Sequence, residues 1–253
     1  EVERQANFLR EQQARLEAVE QLRYELLERE KLRQDLLRHI VIAQEDERAR
    51  IARELHDETS QILTGFSLHL AALDETMTQY PQAHQQILHL QTLSKQISQG
   101  LYRLVRDLRP AQLDDLGLIA ALNFLVGDVR KRLNLKVHLQ INGNHQLLDT
   151  LVETVFFRIA QEALTNVARH AHTGEAQVRI QFDEDAIVLE VCDQGVGFSP
   201  DVLLSSPNGY GLTGMIERAE SVGGKLEIMS EPQRGTSIKV GISTQKAQLK
   251  VVE

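Results

Sequence analysis

The sequence predicts a chain in two parts: a long helical N-terminal region, then a two-layer α/β sandwich. The first observation is that residues 1–45 contain no glycine or proline and repeat apolar residues at helical spacing. The second is that glycine becomes frequent, and period-two alternation begins, after Pro110. The third is that helical patterns separate the alternating stretches. Together these observations indicate a multi-domain α and α+β protein.

Residues 1–45 are predicted to form a coiled coil. The segment is rich in Glu, Arg, Gln and Leu, and its apolar residues form two heptad seams with a shift between them. A single amphipathic helix packed on its own domain is the alternative, but so narrow an apolar stripe would cover little core. The seam positions are Leu9, Leu16 and Val19, then Leu22, Leu26, Leu36 and Ile40.

Residues 46–109 are predicted to form an antiparallel helical hairpin. The helical pattern runs unbroken to about Thr78, and Tyr80-Pro81 interrupts it because proline cannot donate a hydrogen bond to the preceding turn. A second amphipathic helix follows over 82–108 and ends at Arg109-Pro110. One hairpin leaves its apolar stripe half covered, so the sequence predicts a homodimer with a four-helix bundle.

Residues 117–245 are predicted to form the α/β sandwich, with 246–253 as a tail. Five stretches alternate apolar and polar residues with the period of a strand, and three stretches between them have helical spacing. The predicted strands are 137–141, 178–182, 187–191, 226–228 and 238–242, and the predicted helices are 118–133, 148–169 and 212–222.

Composition excludes several classes of protein. A formal charge of -8 and a pI of about 5.6 argue against sequence-independent binding to DNA or anionic lipid. One cysteine, Cys192, cannot form an internal disulfide, which fits a reducing, cytoplasmic compartment. No run of eighteen apolar residues is present, so no membrane span is expected. Because the chain begins with Glu1, we expect a fragment, and an upstream sensor or membrane segment is left open.

The first candidate site is His56-Asp57-Glu58-Thr59-Ser60-Gln61, on the first hairpin helix. His56 follows Leu55 of the apolar stripe, so it lies about 100° round the helix and meets solvent. An exposed imidazole is a nucleophile near neutral pH, and Asp57 can hold the ring and stabilise its cation. A solvated surface pair is the simpler interpretation of this motif alone.

Two further motifs carry oxygen ligands. Glu162 and Asn166 lie four residues apart on one helix face, and a carboxylate with an amide oxygen suits Mg²⁺, although a solvated polar face is the alternative. Asp193 follows a strand and can accept a hydrogen bond from an exocyclic amino group such as that of adenine. Gly195 and Gly197 after it let the backbone approach a ligand, although such a turn is common.

A third glycine-containing motif leads into a helix. Gly209, Gly211 and Gly214 precede and open it, and bare amides at a helix start suit a polyphosphate. Residues 199–208 are short and rich in Ser, Pro and Asn, as expected of a mobile lid. Thr236 enters the final strand, where its hydroxyl could reach an adenine pocket.

In this order the motifs resemble those of sensor histidine kinases, over residues 45–245. The resemblance is to the NarX/DesK-type subfamily, whose dimerisation helix carries His-Asp-x-x-x-Gln. The H box matches residues 56–61, the N box 161–170, the G1 box 193–198 and the G2 box 209–215. A separate F box beyond Phe198 is not evident, which fits a short lid.

The resemblance implies a Bergerat-type ATP-binding domain, autophosphorylation of His56, and transfer to an aspartate of a response regulator. Asp57 would orient the imidazole and accept its proton, and Gln61 would support dephosphorylation of that regulator. Glu162 would assist Mg²⁺ or a proton transfer. ATP and Mg²⁺ are the implied cofactors, and no direct nucleic acid binding is expected. The implied nucleotide-binding residues are Asn166, Arg169, His170, Asp193, Gly195, Gly197, Gly209, Gly211, Leu212, Gly214 and Thr236, with Asn166 and Glu162 on the metal.

Two rival functions share parts of this pattern. A degenerate relative would bind ATP and act as a dimeric scaffold, but His56, Asp57, Asn166 and Asp193 are all present. A Bergerat-fold ATPase, such as part of a chaperone or topoisomerase, would use the spacing of Glu162 and Asn166 but needs no His-Asp hairpin.

Overall fold

The computed structural model describes residues 2–108, 111–144, 147–200 and 210–247, although the side chains of several residues before Arg15 and around residues 106–114 are not described. The chain divides into two compact units, residues 42–128 and residues 1–41 with 129–253. The predicted order, a helical region followed by an α/β sheet domain, is confirmed. Within the described ranges, no helix combines the length and hydropathy that crossing a bilayer requires.

The N-terminal region is a single long helix, α1, at Val2–Glu54. Its seam residues from Leu16 to Ile40 are more than half exposed in the single chain, and the side chain of Leu9 lies outside the described residues. A helix that exposes so many apolar side chains is typical of one that pairs with another helix. The coiled coil stays a prediction.

The helical hairpin consists of α2 at Ser60–Met77 and α3 at Pro81–Leu108. Leu70, Ile87 and Leu101 are buried between the two helices, where the hydroxyl groups of Ser67 and Ser94 lie 2.9 Å apart. Pro81 is the first residue of α3, a position that needs no amide donor. The prolyl residue predicted to interrupt the helix therefore also starts the next one.

One feature of this hairpin differs from the predicted unbroken helix. Residues Leu55–Thr59, which include His56 and Asp57, form a π turn between α1 and α2. A π turn closes with an i to i+5 hydrogen bond and so inserts one residue into the helix. Hydrophobic spacing did not show this insertion, because a π turn is defined by backbone hydrogen bonds and not by which residues are apolar.

The helix α4 at Ala111–Leu133 leads into the sheet domain. It is kinked at Gly117, where φ is 76° and ψ is 179°, so the predicted helix from residue 118 is preceded by a shorter helical segment. Left-handed φ suits glycine because it has no Cβ. Leu118 and Leu122, just beyond the kink, are fully buried.

The sheet contains the five predicted strands in the order β1-β2-β3-β5-β4. β1 pairs with β2 in parallel, and the other pairs are antiparallel. The parallel pair is joined by α5 at Thr150–Asn166, as such a pair requires a long crossover. The strands are β1 at Lys136–Gly143, β2 at Glu175–Phe182, β3 at Ala186–Asp193, β4 at Lys225–Ser230 and β5 at Thr236–Ser243.

One face of the sheet is covered by α5 and by α6 at Tyr210–Ser221. The alternate residues Ile180, Leu189 and Val240 are fully buried against these helices, together with Phe156 of α5 and Met215 of α6. This single apolar layer explains why apolar and polar residues alternate along each strand. The short helix α7 at Thr244–Ala247 follows β5, and residues 248–253 lie outside the described residues.

Candidate functional site

A cavity of about 620 Å³ opens between α5, α6 and the ends of β3 and β5. This volume falls within the usual range for sites that bind small molecules, roughly 300–1,000 Å³. Its walls combine apolar side chains with a few polar groups, an arrangement typical of ligand sites. The lining residues are Glu162, Ala163, Asn166, Val167, His170, Ala171, Val191, Asp193, Gly197, Phe198, Gly211, Leu212, Thr236 and Ile238.

The helix α5 presents polar side chains to the cavity. Glu162 and Asn166, one turn apart, both line it. The helix begins at Asp149, whose carboxylate accepts a hydrogen bond from the amide of Leu151 at 2.8 Å, and its apolar face is buried against the sheet. The cap and the buried face fix the helix, so the two oxygen-bearing side chains point to the same space.

A second π turn, Val167–Ala171, follows Asn166 directly. His170 lines the cavity, whereas Arg169 is exposed and does not line it. A π turn holds more residues than an α turn. His170, four residues after Asn166, therefore lies on the same side of the helix as Asn166, whereas Arg169, three residues after it, points further away. This geometry separates two residues that the motif had grouped together. Both His56 and His170 therefore lie in π turns, which are frequent at functional sites.

Asp193 lies at the end of β3, with its carboxylate partly buried in the cavity wall. Burial raises the pKa of this carboxyl group, while hydrogen bonds from the amides of Gly195 and Thr236 act in the opposite direction. The Gly195 amide donates to Oδ1 at 2.7 Å. The carboxylate is thus held as an acceptor whose remaining lone pairs face the cavity.

The backbone around this aspartate requires glycine at Gly197. Its φ is 57°, and a Cβ there would lie 2.1 Å from the carbonyl oxygen of Glu231. Gly197 lines the cavity, but Gly195 does not; a Cβ on Gly195 would lie 2.1 Å from the carbonyl oxygen of Ala171. Gly195 therefore acts through packing of the loop against the end of the second π turn rather than through the cavity surface.

The start of α6 completes the wall. Gly211 and Leu212 line the cavity, and a Cβ on Gly211 would lie 2.6 Å from Oε1 of Glu162. The helix start therefore approaches α5 closely only because residue 211 lacks a side chain. Gly214 lies one turn further on and does not line the cavity, and Gly209 lies outside the described residues, as do residues 201–208 of the predicted lid.

Thr236 begins β5 and lines the cavity directly beside Asp193, its partner in the β3–β5 pairing. The apolar lining residues Val191 and Ile238 were not singled out from the sequence. The sequence could have indicated them, since both are apolar positions in strands where apolar and polar residues alternate. Ser230, at the end of β4, contacts the backbone of Phe198 and Gly235, and no sequence motif pointed to it.

The histidine motif lies in the other compact unit. His56 and Asp57 are exposed in their π turn, and Gln61 is exposed in the first turn of α2. The ring of His56 meets the ring of Tyr102 of α3 edge-on, with centroids 6.1 Å apart and planes inclined by 60°. Such a contact contributes about 0.5–1.5 kcal/mol and restricts the orientation of the imidazole.

Comparison with known families adds two matches. Residues 47–113 match a family described as histidine kinase, and residues 152–246 match histidine kinase-, DNA gyrase B- and HSP90-like ATPases. The two matches together span more than half of the chain, in the order of the helical hairpin and the sheet domain. The chain belongs to the histidine kinase family. Its C-terminal domain is therefore an ATP-binding domain of the type that the second match describes.

Individual relatives agree with this assignment. The chain is 36% identical over 216 residues to the oxygen sensor histidine kinase NreB of Staphylococcus carnosus (strain TM300), covering 82% of this chain and 59% of that protein. It is 37% identical over 200 residues to the sensor protein VraS of Staphylococcus aureus (strain COL), covering 78% of this chain and 55% of that protein. This histidine kinase chain thus spans less than two thirds of the length of these curated relatives.

Among solved structures, the histidine kinase domain of the blue-light activated histidine kinase from Erythrobacter litoralis EL346 is similar. It has 15% sequence identity and a TM-score of 0.47, and the match covers 74% of this chain and 95% of that one. The mycobacterial sensor histidine kinase MprB matches with 21% identity and a TM-score of 0.40, over 50% of this chain and 92% of that one.

Proposed function

We propose that this chain transfers the γ-phosphoryl group of ATP to His56 and then supplies it to an aspartate of a response regulator. The observation that carries the proposal is the cavity in which Asp193, Asn166, Glu162 and the start of α6 come together. These residues lie up to 49 positions apart in the sequence, and each has the chemistry that one part of a nucleotide needs. The exposed His-Asp pair supplies the acceptor.

The base would bind at the Asp193 end of the cavity. The carboxylate accepts a hydrogen bond from the exocyclic amino group, and Thr236 lies beside it. The apolar side chains of Val191, Leu212 and Ile238 would pack against the purine ring. A ring so placed is removed from water on an apolar surface, which favours binding through the hydrophobic effect.

The phosphates would lie toward α5 and α6. The first amides of α6 at Gly211 have no intrahelical partner and carry the positive end of the helix dipole, which suits an anion. Glu162 and Asn166 fit Mg²⁺, because a carboxylate and an amide oxygen on one helix face leave room for water and phosphate oxygens. Bound there, the metal would neutralise charge that develops on the phosphates. His170 would donate to a phosphate oxygen.

The chemical step would be an in-line attack by an imidazole nitrogen of His56 on the γ-phosphorus. A nitrogen–phosphorus bond forms, the bond from phosphorus to the bridging oxygen breaks, and ADP leaves. Asp57 would orient the ring and accept its proton. The edge of Tyr102 against the ring limits the orientations that His56 can adopt. Most of the catalytic advantage would then come from positioning.

Gln61 would serve the reverse activity on the regulator. Its side chain is exposed one turn beyond Asp57, where its amide can hold a water in line with a partner's aspartyl phosphate. We expect Gln61→Ala to leave the autophosphorylation rate unchanged, because the residue does not line the nucleotide cavity. The same change should slow dephosphorylation of the regulator. Equal loss of both activities would contradict this role.

The hairpin would form a homodimer. Its helices expose an apolar stripe that includes Ile62 at 70% exposure and Ile97 at 57%. Pairing two hairpins into a four-helix bundle would cover this stripe, and α1 would continue it as a coiled coil. We assign residues 1–45 to this coil, 46–109 to dimerisation and phosphotransfer, and 117–245 to ATP binding. Light scattering should give twice the mass of the chain.

The decisive experiment is incubation of the chain with γ-labelled ATP. Label that is acid-labile and base-stable, and that is lost in His56→Gln, would support the kinase. His69→Gln is the matched control, since His69 is also exposed on the hairpin but has no acidic neighbour in sequence. Free phosphate without labelled protein would support an ATPase, and neither product would support an ATP-binding scaffold.

A further inference from the structure

Ser230 lies outside the cavity but connects three groups around it. Its hydroxyl oxygen accepts a hydrogen bond from the amide of Phe198 at 2.9 Å. The same oxygen lies 3.0 Å from the carbonyl oxygen of Gly235 and 3.0 Å from Oγ1 of Thr236. Phe198 and Thr236 line the cavity, so one hydroxyl connects the loop that carries Phe198 to the start of β5, where Thr236 lies.

Counting protons fixes the direction of these hydrogen bonds. A hydroxyl has one proton, and the carbonyl oxygen of Gly235 can only accept. Because Gly235 is buried, its carbonyl needs a donor, and the Ser230 hydroxyl supplies its proton there. The 3.0 Å contact with Thr236 must then be donated by Thr236. Thr236 lines the cavity and has no further hydroxyl proton, so toward a ligand there its oxygen can only accept.

A second acceptor lies beside it. Asp193 is the register partner of Thr236 across β3 and β5, and its carboxylate accepts from the amides of Gly195 and Thr236. The two neighbouring side-chain oxygens in this part of the cavity can therefore accept but not donate. Adenine presents a 6-amino donor, whereas a 6-oxopurine presents an acceptor at the same position. An acceptor facing two acceptors leaves buried polar groups unpaired.

We propose that Ser230 is a positioning residue that holds the Thr236 hydroxyl as an acceptor and thereby sets the preference for a 6-aminopurine over a 6-oxopurine. This assignment rests on the proposed function, in which the cavity binds a purine nucleotide. It goes beyond the contact between the base and Asp193, because Ser230 does not line the cavity and would still influence which base binds.

The test compares ADP with its 6-oxo analogue IDP, with affinities measured by titration calorimetry on the full chain. In Ser230→Ala, Thr236 regains a free proton that it can donate to a 6-oxo group. The ratio of the IDP to the ADP dissociation constant should therefore fall about five- to tenfold, the value of one neutral hydrogen bond. Ser230→Thr keeps the hydroxyl and should restore the ratio. Ser237→Ala, the same change on β5 next to Thr236 but on the opposite face of the sheet, should leave the ratio unchanged.

A double-mutant cycle separates this role from simple support of the loop. If Ser230 acts through Thr236, adding Ser230→Ala to Thr236→Val should not change the ratio further, because valine has no proton to orient. A further fall in the ratio of the IDP to the ADP dissociation constant, when Ser230→Ala is added to Thr236→Val, would overturn the assignment. So would an unaltered ratio in Ser230→Ala, even if both nucleotides bound more weakly.

Two outcomes need separate treatment. If Ser230→Ala does not fold, Ser230→Cys takes its place, since a thiol is of similar size but is a weak donor and acceptor. This variant should also lower the ratio of the IDP to the ADP dissociation constant. If the unaltered chain binds neither ADP nor IDP, the proposed function fails and this assignment fails with it. A preference for ADP that is undiminished by the loss of the Ser230 hydroxyl would reject only the role of Ser230.

Discussion

Replacing Gly211 by alanine tests the close approach of α6 to α5. The new methyl group would lie 2.6 Å from Oε1 of Glu162, so that oxygen must withdraw by about 0.8 Å to reach an ordinary contact of 3.4 Å. The carboxylate is the end of a flexible side chain, and turning it away costs about 0.5–1.5 kcal/mol. Alanine gains about 0.5–1 kcal/mol over glycine in a helix, so the free energy of unfolding should change by less than about 1 kcal/mol.

The effect on the site should be much larger. Displacing a ligand group by about 1 Å can lower activity about a hundredfold. We expect Mg²⁺ to strengthen ADP binding to the unaltered chain and to lose most of that effect in Gly211→Ala. The rate of labelling from γ-labelled ATP should fall about tenfold to a hundredfold, because the Glu162 carboxylate moves by slightly less than 1 Å. Calorimetry with and without Mg²⁺ and a labelling time course measure the two effects.

Gly127→Ala is the matched control, because a Cβ there has nothing within 4 Å and the residue also lies in a helix. It should leave both measurements unchanged. The reasoning would be refuted if Gly211→Ala bound ADP with an unaltered dependence on Mg²⁺. It would also be refuted if the loss of labelling came with a large fall in melting temperature, because the fold rather than the carboxylate would then be responsible.

Three further predictions concern single side chains. Burial raises the pKa of the Asp193 carboxyl group, so folding favours its neutral form, and its charge costs stability above its ordinary pKa of 3.8. The melting temperature of Asp193→Asn at pH 7 should therefore be no lower than that of the unaltered chain, and the difference should shrink toward pH 3. The affinity of this variant for ADP should fall more than tenfold. Gly195→Ala would drive a methyl group into the carbonyl oxygen of Ala171 and should lower the urea midpoint by an amount equivalent to about 1–3 kcal/mol. Tyr102→Ala should slow labelling of His56 about two- to tenfold and leave ADP affinity unchanged, since the ring contacts the acceptor and does not line the cavity. An equal effect on ADP binding would count against this prediction.

The strands and helices could be predicted because each buries one face. Val178, Ile180 and Phe182 alternate along β2, and the structure buries all three against the same helical layer. The pairing of β1 with β2 was not predictable in this way. Alternation shows which face of a strand is buried but not which strand lies beside it, and the order depends on the crossover through α5.

The candidate site shows the same division. Glu162 and Asn166 were expected on one helix face, and the structure places both in the cavity wall. Arg169 and His170 could not be separated in advance, because the π turn after Asn166 depends on hydrogen bonds rather than on residue type. Ser230 carries no motif, since its importance comes from oxygens that only folding brings within 3.0 Å.

The sequence by itself determined the kinds of element, their order and the chemical groups available. Periodicity and short motifs are local, and local spacing is preserved in any fold that buries the same faces. Only the tertiary structure decided which of these groups share a cavity and which way their protons point. That decision depends on contacts between residues far apart in the chain, such as the approach of Gly211 to Glu162, and these contacts form only when the apolar faces are packed together.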